Sequence, residues 1–383
     1  MPAKSYPNQN RPTWDRSWAI KKRSVHWELS QRRAAEKRIN RKFRKDKNVV
    51  FFSVIQVTAP KVLSYTQNSA ETIAFFDKVK QAVFTTETSR RKGEIRRKSM
   101  RLNLTGIESI SLTCAVVLSA ELKRWTMHTK RTPNLLNYGQ WNRRVRSLLV
   151  HLGTLKHIGI QKKSYQRYAD ETFPGQVVLV ELTSAEVQDG EKVAHLQEQL
   201  MKLGNFFEPK KYIFRALLEA TNNAIEHAYD EKIELKYAEF KGKRWYATAS
   251  YDPSKDSLRF FVYDQGIGIP ESLRSKDFWR RGIADLLDKI GVTDNDTDTI
   301  DAAFELGKTR TDMDERGKGL KDMQNVIQQA GAGYIRVISG QGDYTLNSAG
   351  AVGKRRHGSH IGGTLIEWSI PISALKSEEN VDG

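Results

Sequence analysis

The chain has 383 residues, of which 39 % are apolar and 28 % charged, a composition that fits a globular protein of two or three domains and excludes a fibrous or globally disordered chain. The single cysteine, Cys114, excludes an intrachain disulfide and a cysteine-based zinc cluster, and it predicts a reducing, cytosolic compartment. Lys4, Arg11 and Asp15 interrupt the stretch where a signal peptide is apolar, so we expect neither secretion nor a membrane.

The net charge of +18 is concentrated in the first half of the chain. Residues 1–210 carry 39 Lys and Arg against 18 Asp and Glu, a net of +21, whereas residues 211–383 have a net of −3. Within a basic N-terminal arm, residues 1–48, apolar side chains recur every four positions over 32–45, which predicts a helix with a broad cationic face. Such a face fits a polyanion such as nucleic acid, and a solubilising arm is the alternative.

A small α/β domain is predicted for residues 49–172. Its predicted elements are, in order, a strand at 49–57, a helix at 71–84, a strand at 100–104 and helices at 112–125 and 143–155. Alternation of strands and helices is typical of an α/β fold. Phe173-Pro174-Gly175 breaks this pattern, so we place a second domain at 173–383, beginning with a short strand at 177–182 and a helix at 191–203.

A helix predicted for residues 212–229 carries three polar side chains on one face. Glu219, Asn223 and His227 lie four residues apart, so a carboxylate, an amide oxygen and an imidazole project in nearly one direction. An ordinary solvated helix face shows the same spacing. The helix therefore marks a site only together with the motifs that follow it.

The next motif stands at the end of a strand predicted for 258–263. The run that follows is Asp264-Gln265-Gly266-Ile267-Gly268. A strand end would hold Asp264 rigidly, and Gly266 and Gly268 would let the backbone approach a ligand closely.

Two more glycine motifs complete the pattern. Arg316-Gly317-Lys318-Gly319-Leu320 precedes a predicted helix at 321–329, and the free N–H groups at a helix start form a cradle for phosphate. Near the end of the chain, Gly362-Gly363-Thr364 opens a last predicted strand. Each motif alone is common in turns, so their order along the chain carries the argument.

Taken in order, these motifs resemble the GHKL superfamily, which includes DNA gyrase, heat-shock chaperones, histidine kinases and MutL. The resemblance covers residues 190–373, and the run from Glu219 to Tyr229 is most similar to the anti-sigma-factor serine kinases. It implies the Bergerat ATP-binding fold, an α/β (α+β sandwich) architecture with a mixed sheet covered by helices. It also implies ATP and Mg²⁺ as ligands.

The resemblance assigns the adenine and metal roles. Asp264 would accept a hydrogen bond from the adenine amine, supported by the hydroxyl of Thr364, and Gly266 and Gly268 would line the base. Asn223 would offer its amide oxygen to Mg²⁺, which otherwise keeps waters and phosphate oxygens.

The resemblance also assigns the phosphate end of the site. Glu219 would orient or deprotonate the attacking water or hydroxyl. Gly317 and Gly319, followed by Leu320, would present N–H groups to the phosphates, and Arg316, Lys318 or Lys321 would add positive charge. Residues 271–316 would form a mobile lid, and His227 would support the site rather than act in it.

The amino-terminal half resembles the STAS fold of anti-sigma antagonists over residues 49–160. That fold places Asp-Ser-Ser-Gly where this chain has Ser111-Leu112-Thr113-Cys114, so Thr113 is the hydroxyl at the usual phosphoacceptor position. The acidic residue and the glycine of the pattern are absent. A STAS-like domain implies a protein partner.

Three functions remain open from the sequence. The first is an ATP-binding and ATP-hydrolysing switch that couples nucleotide state to a partner; the second is an anti-sigma-type serine/threonine kinase acting on a STAS domain. The third is a nucleic-acid-binding protein whose ATP site only senses nucleotide. Gyrase-like or MutL-like work stays open beside these three, although only a short tail follows Pro371, where those chains continue into a transducer domain.

Overall fold

A computed structural model describes residues 49–85, 89–91, 94–130, 132–169, 177–187, 189–204, 210–229, 244–275, 284–285, 295–309 and 318–377. The predicted basic arm, residues 1–48, lies outside the described residues. The chain divides into two compact units, Met1–Ser53 with Thr88–Arg97 and Val54–Glu87 with Lys98–Gly383. The predicted domain boundaries after residues 48 and 172 stay predictions.

Fourteen strands and eleven α-helices form the described part of the chain. The strands are β1 Val49–Thr58, β2 Val62–Leu63, β3 Ser89–Arg91, β4 Glu94–Asn103, β5 Ser109–Ile110, β6 Asn134–Leu136, β7 Val178–Leu179, β8 Thr183–Ala185, β9 Trp245–Asp252, β10 Ser257–Asp264, β11 Tyr334–Ser339, β12 Gly342–Asn347, β13 Val352–Arg356 and β14 Thr364–Pro371. The helices are α1 Ser69–Thr85, α2 Leu112–Thr129, α3 Arg143–His151, α4 Thr154–His157, α5 Lys162–Ala169, α6 Gly190–Gly204, α7 Lys211–Glu226, α8 Ile269–Arg274, α9 Asp296–Thr309, α10 Lys318–Gln329 and α11 Ile372–Ser377.

The smaller unit contributes only strand residues to the described chain. Within it, β3 and the first residues of β4 form an antiparallel hairpin in which Arg91 pairs with Glu94. The larger unit holds every described α-helix and the remaining strands, except that residues 49–53 of β1 belong to the smaller unit.

The amino-terminal part of the larger unit contains the predicted strands and helices, with one correction. The helix predicted over 143–155 is two helices, α3 and α4, because Gly153 adopts φ +71° between them. A Cβ there would lie 2.6 Å from Glu181 Cγ, so only glycine fits this tight bend. Ser111 caps α2 as expected of a helix start, its side chain accepting the Cys114 N–H at 3.2 Å.

An eight-stranded sheet forms the centre of the carboxyl-terminal part. Its order is β13-β12-β11-β14-β10-β9-β7, with β8 also pairing with β9. Every pairing in this sheet is antiparallel, whereas the parallel pairs β2–β5 and β4–β6 lie in the amino-terminal part. The expected mixture of strand directions is therefore not within this sheet; the connections of β9–β10 and of β11–β12–β13 are too short for a parallel crossover, and β14 pairs antiparallel with both β10 and β11.

Helices cover both faces of the sheet, and strand alternation decides which residues meet which layer. On β10, Phe260 and Val262 join the core formed with α6, α7, α9 and α10, whereas Phe261 and Tyr263 join the core formed with α1 and α2. By the same alternation, Asp264 belongs to the face covered by α7 and α10. The predicted α/β fold class is confirmed.

None of the described helices is long and apolar enough to cross a membrane. The longest of them, α2, contains the buried charged residues Glu121 and Arg124. These charges belong to its packing against the sheet, because both side chains lie beside Tyr263 of β10.

Candidate functional site

One end of the site is the buried carboxylate of Asp264. Asp264 ends β10 and lies directly opposite Thr364, the first residue of β14. Its Oδ1 accepts the N–H of Gly266 at 2.8 Å and the N–H of Thr364 at 3.3 Å. Hydrogen bonds from two neighbouring loops thus fix this carboxylate at the end of its strand, as the strand-end position predicted.

Burial decides the protonation behaviour of Asp264. With only 7 % of the residue exposed, desolvation raises its pKa to about 7, although the Gly266 and Thr364 hydrogen bonds act in the opposite direction. The carboxylate is therefore poised between its ionised and neutral forms near neutral pH. A ligand that donates a hydrogen bond to it would favour the ionised form.

The glycines after Asp264 allow close packing against the end of α7. A Cβ on Gly266 would collide with the carbonyl of Ala228, which accepts the N–H of Ile267 at 2.8 Å. Gly268 adopts φ +91° and starts α8, and a Cβ there would lie 3.0 Å from Ser339 Oγ. Both predicted glycines are thus required by the backbone path at the site.

A chain of hydroxyl groups supports the same region. Thr364 Oγ1 lies 2.9 Å from Ser339 Oγ, and Ser339 Oγ accepts the N–H of Ile269 at 2.8 Å. The Thr364 hydroxyl therefore lies beside Asp264, where the resemblance placed it, and it also connects β14 to the start of α8.

The other end of the site lies where α10 meets α7. A Cβ on Gly319 would lie 3.0 Å from Glu219 Oε2 and 3.2 Å from Asn223 Nδ2. The structure thus places Gly319 beside Glu219 and Asn223, from which it is separated by about a hundred positions in the sequence. Leu320, the next residue, packs against the small cluster of Leu273, Ala302 and Ala303.

The environment of Glu219 makes it a stronger base than an exposed carboxylate. Partial burial raises its pKa, and the charges of Asp322 on α10 and of Glu226 on α7 raise it further. The charges of Asp322 and Glu219 thus interact between the packed helices α10 and α7. A raised pKa is what a general base working near neutral pH needs.

Part of the predicted phosphate motif cannot be placed. Arg316 and Gly317 lie outside the described residues, and of Lys318 only the backbone, the first residue of α10, is described. His227 follows the last residue of α7, and its N–H bonds to the carbonyl of Asn223 at 3.0 Å.

The lid predicted for residues 271–316 includes residues that belong to the folded core. Within it, α9 buries Ile300 and Phe304 in the core, and the Phe304 ring stacks on Tyr344 of β12 at a centroid distance of 5.2 Å. Asp296, at the start of α9, accepts hydrogen bonds from Arg274 and from the Gln341 N–H. Residues 296–304 are therefore part of the fold rather than of a lid.

The sequence analysis missed two side chains that hold the loops of the site. His360 Nδ1 accepts the N–H of Gly362 at 2.7 Å, and its Nε2 lies 3.1 Å from the carbonyl of Ile267, so the neutral ring with a proton on Nε2 satisfies both contacts. The Tyr229 hydroxyl accepts the N–H of Gln265 at 3.1 Å. Tyr229 continues the helix motif, but nothing in the pattern distinguishes it.

The predicted phosphoacceptor, Thr113, lies on the opposite face of the sheet. It is 5 % exposed, and its hydroxyl donates to Glu367 Oε2 at 3.2 Å. Glu367 alternates with Ile366 and Trp368, which face the α7 side, so it points away from the layer of Asp264. Thr113 is thus a buried contact between α2 and β14.

Comparison with known families agrees with this geometry. Residues 209–372 match the model of the family described as histidine kinase-, DNA gyrase B- and HSP90-like ATPase. The matched segment contains both ends of the site, from Glu219 to Thr364, so this part of the chain is similar to GHKL-type ATPase domains.

The match leaves the finer resemblances as predictions. It does not reach the amino-terminal residues predicted to be STAS-like, and it does not separate the anti-sigma kinases from other members of the family. No curated protein matches the chain.

Proposed function

We propose that the chain binds ATP with Mg²⁺ at this site, hydrolyses it and couples the nucleotide state to a partner. The observation that carries the proposal is the pairing of two clusters along α7. Asp264 is buried beside the end of that helix, and Gly319 approaches Glu219 and Asn223 about two turns earlier. A hydrogen-bond acceptor for adenine and a set of N–H groups for the phosphates would thus lie at the two ends of one bound ATP molecule.

At the adenine end, the fixed carboxylate supports recognition of a base that carries an exocyclic amine. The N–H groups of Gly266 and Thr364 hold Asp264 in one orientation, so it pays little ordering entropy on binding. Gly268, with its positive φ, would leave the base room against the loop.

The residues present at the other end fit a magnesium ion and a triphosphate. Mg²⁺ prefers oxygen ligands and would neutralise charge on the phosphates when bound. Asn223 would hold the ion through its amide oxygen, and Glu219 would orient or deprotonate the attacking water. The absent side chain of Gly319 leaves the space that a bound phosphate would need beside them.

The start of α10 supports phosphate binding in the same place. Its twelve residues begin at Lys318, and because the first N–H groups of a helix have no partner within the helix, they could donate to a phosphate. Gly317, Arg316 and the Lys318 side chain would add further N–H groups and positive charge.

Incubation of the protein with γ-labelled ATP and Mg²⁺ tests the reaction. Hydrolysis predicts released inorganic phosphate with no label on protein, whereas a kinase predicts label on the chain or on an added STAS domain. Absence of ATP binding in a direct titration would overturn the proposal as a whole.

The kinase alternative requires a protein hydroxyl as the attacking group. Within this chain, Thr113 is a poor acceptor because its hydroxyl is buried and bonded to Glu367 on the far face of the sheet. Transfer to Thr113 would require α2 to leave the sheet. A STAS domain on another protein remains the acceptor that this alternative predicts.

We expect Asp322→Asn to change the pH dependence of turnover. Removing the Asp322 charge lowers the raised pKa of Glu219 toward its ordinary value, so the acid limb of the pH–rate profile should move to lower pH. Steady-state rates across pH 4–8 check this. Glu191→Gln, an exposed change at the start of α6, is the control, and an unmoved limb in Asp322→Asn would argue against Glu219 as the base.

A second candidate function, nucleic-acid binding, is favoured by the +21 of residues 1–210. If residues 32–45 contact phosphates, counterion release makes affinity for duplex DNA fall with salt, at a log–log slope of about 0.9 per phosphate contacted. Deleting residues 1–48 should then reduce both the affinity and the slope while ATP binding is kept. Gel-shift titrations at two salt concentrations measure both, and no binding by the full chain at low salt would exclude it.

The proposed compartment is the cytoplasm. It rests on Cys114, the one cysteine of the chain, which is fully buried in the core of α2 and carries no disulfide. Burial raises the pKa of its thiol to about 12, so it would stay a neutral thiol.

A further inference from the structure

The backbone of residues 361–363 sets the position of the groups around Asp264. Gly363 has φ +134°, and a Cβ there would collide with the Asp264 carbonyl. The next residue, Thr364, donates its N–H to Asp264 Oδ1. Any shift of this loop would therefore move a hydrogen-bond donor of the buried carboxylate.

A buried lysine from the amino-terminal part holds the same loop. Lys80 of α1 is 1 % exposed, and its ammonium donates to the carbonyl of Ile361, 281 residues away. The ammonium lies so close to Gly362 that a Cβ there would collide with it. Burying an ammonium group costs free energy. Core packing alone therefore does not explain why a lysine bonds to a backbone carbonyl beside the site.

A second helix of the amino-terminal part reaches the loop through Tyr263. The Tyr263 hydroxyl lies 3.2 Å from the carbonyl of Gly362 and 3.4 Å from Glu121 Oε1 of α2. Glu121 in turn pairs with Arg124, its Oε2 lying 3.7 Å from Arg124 Nε. Tyr263 precedes Asp264 on β10, so α2 is linked to the site through adjacent residues.

Both helices lie outside residues 209–372, the segment that matches the ATPase family. We propose that Lys80 is a positioning residue of the nucleotide site, through which docking of α1 on the 361–363 loop strengthens adenine recognition by Asp264 and Thr364. The inference rests on the proposed ATP binding. By reciprocity, adenine binding strengthens the docking of α1, which gives the amino-terminal part a route to sense nucleotide.

The test compares Lys80→Met with Lys78→Met in the full chain. Methionine keeps the length and apolar stem of Lys80 without the donor, whereas Lys78 is exposed on the same helix. Calorimetric titrations with ATP, GTP and tripolyphosphate, each with Mg²⁺, separate the base from the phosphates, and thermal unfolding of the unliganded proteins reports on stability.

We expect Lys80→Met to lower ATP affinity by up to about tenfold, the most that losing one hydrogen bond to the loop can transmit to the site, and to lower the ratio of ATP to GTP affinity. Tripolyphosphate affinity should stay unchanged, and Lys78→Met should behave as the parent. Equal ATP affinity in Lys80→Met and the parent would overturn the inference, as would an equal loss for ATP and tripolyphosphate, which indicates general damage.

A measurement on the parent chain keeps the inference testable if Lys80→Met does not fold. ATP should slow hydrogen exchange of the α1 amides, residues 69–85, and tripolyphosphate should not. The same exchange with both ligands would overturn the inference. A parent that binds no ATP overturns the proposed function itself, whereas a parent that binds ATP without protecting α1 overturns only the role of Lys80.

Discussion

Replacing Glu219 by alanine should leave ATP binding nearly unchanged and lower turnover roughly 10²- to 10⁴-fold, because general-base assistance contributes about that factor. Alanine favours the helix, so α7 should keep its structure. Loss of the Glu219 carboxylate opens space beside Gly319 and leaves in place the N–H groups that would bind phosphate. Binding measured by calorimetry and turnover measured by phosphate release separate the two effects.

The matched control for this variant is Lys211→Ala. Lys211 is exposed at the first residue of α7, two turns before Glu219, and should not affect either measurement. Equal turnover by Glu219→Ala and the parent would reject Glu219 as the base. If both proteins bind ATP and neither releases phosphate nor labels a protein, the chain is a nucleotide sensor rather than an enzyme.

Some parts of the site can be predicted from the sequence because they depend on the pattern of residues within one helix, strand or turn. The four-residue spacing of Glu219 and Asn223 predicts one helix face, and the structure places both beside Gly319. The strand that ends at Asp264 is a run of apolar and aromatic residues buried on both faces, and Gly268 indeed has a positive φ. Each of these features depends on residues within one helix, strand or turn.

The strands missed by the sequence analysis lack such a signal. β13 is exposed along its whole length and reads Val-Gly-Lys-Arg-Arg, so no alternation of apolar and polar residues marks it. Its place depends on pairing with β12, in which Gly342 lies opposite Arg356. Tertiary pairing, and not local preference, makes this segment a strand.

Contacts between distant parts of the chain were also beyond a sequence argument. Lys80 sits in an amphipathic helix where a lysine predicts a solvated face, yet it is buried against Ile361. The burial of Thr113 is equally hard to predict from local sequence, because its hydrogen-bond partner Glu367 is 254 residues away. The docking of the amino-terminal helices on the back of the sheet follows from these pairs, and neither partner alone indicates it.

The buried carboxylate gives the second large expected effect. Asp264→Asn should weaken ATP binding roughly 10- to 150-fold, because a hydrogen bond to a charged group contributes about 1.5–3 kcal/mol. The parent should also bind ATP more weakly as the pH falls through about 7, where Asp264 gains its proton, and release protons on binding near that pH. Asparagine does not titrate, so this pH dependence should disappear in the variant.

Stability distinguishes a lost contact from a damaged fold. The pKa of Asp264 in the folded protein, about 7, lies above its ordinary value, so its ionisation reduces stability as the pH rises from about 4 to 7. Asp264→Asn should therefore unfold at the same temperature as the parent or higher at pH 8. Asp256→Asn, at the opposite end of β10 with φ +47°, a conformation that asparagine tolerates, is the control for binding. Unchanged ATP affinity in Asp264→Asn, with the control also unchanged, would remove Asp264 from adenine recognition.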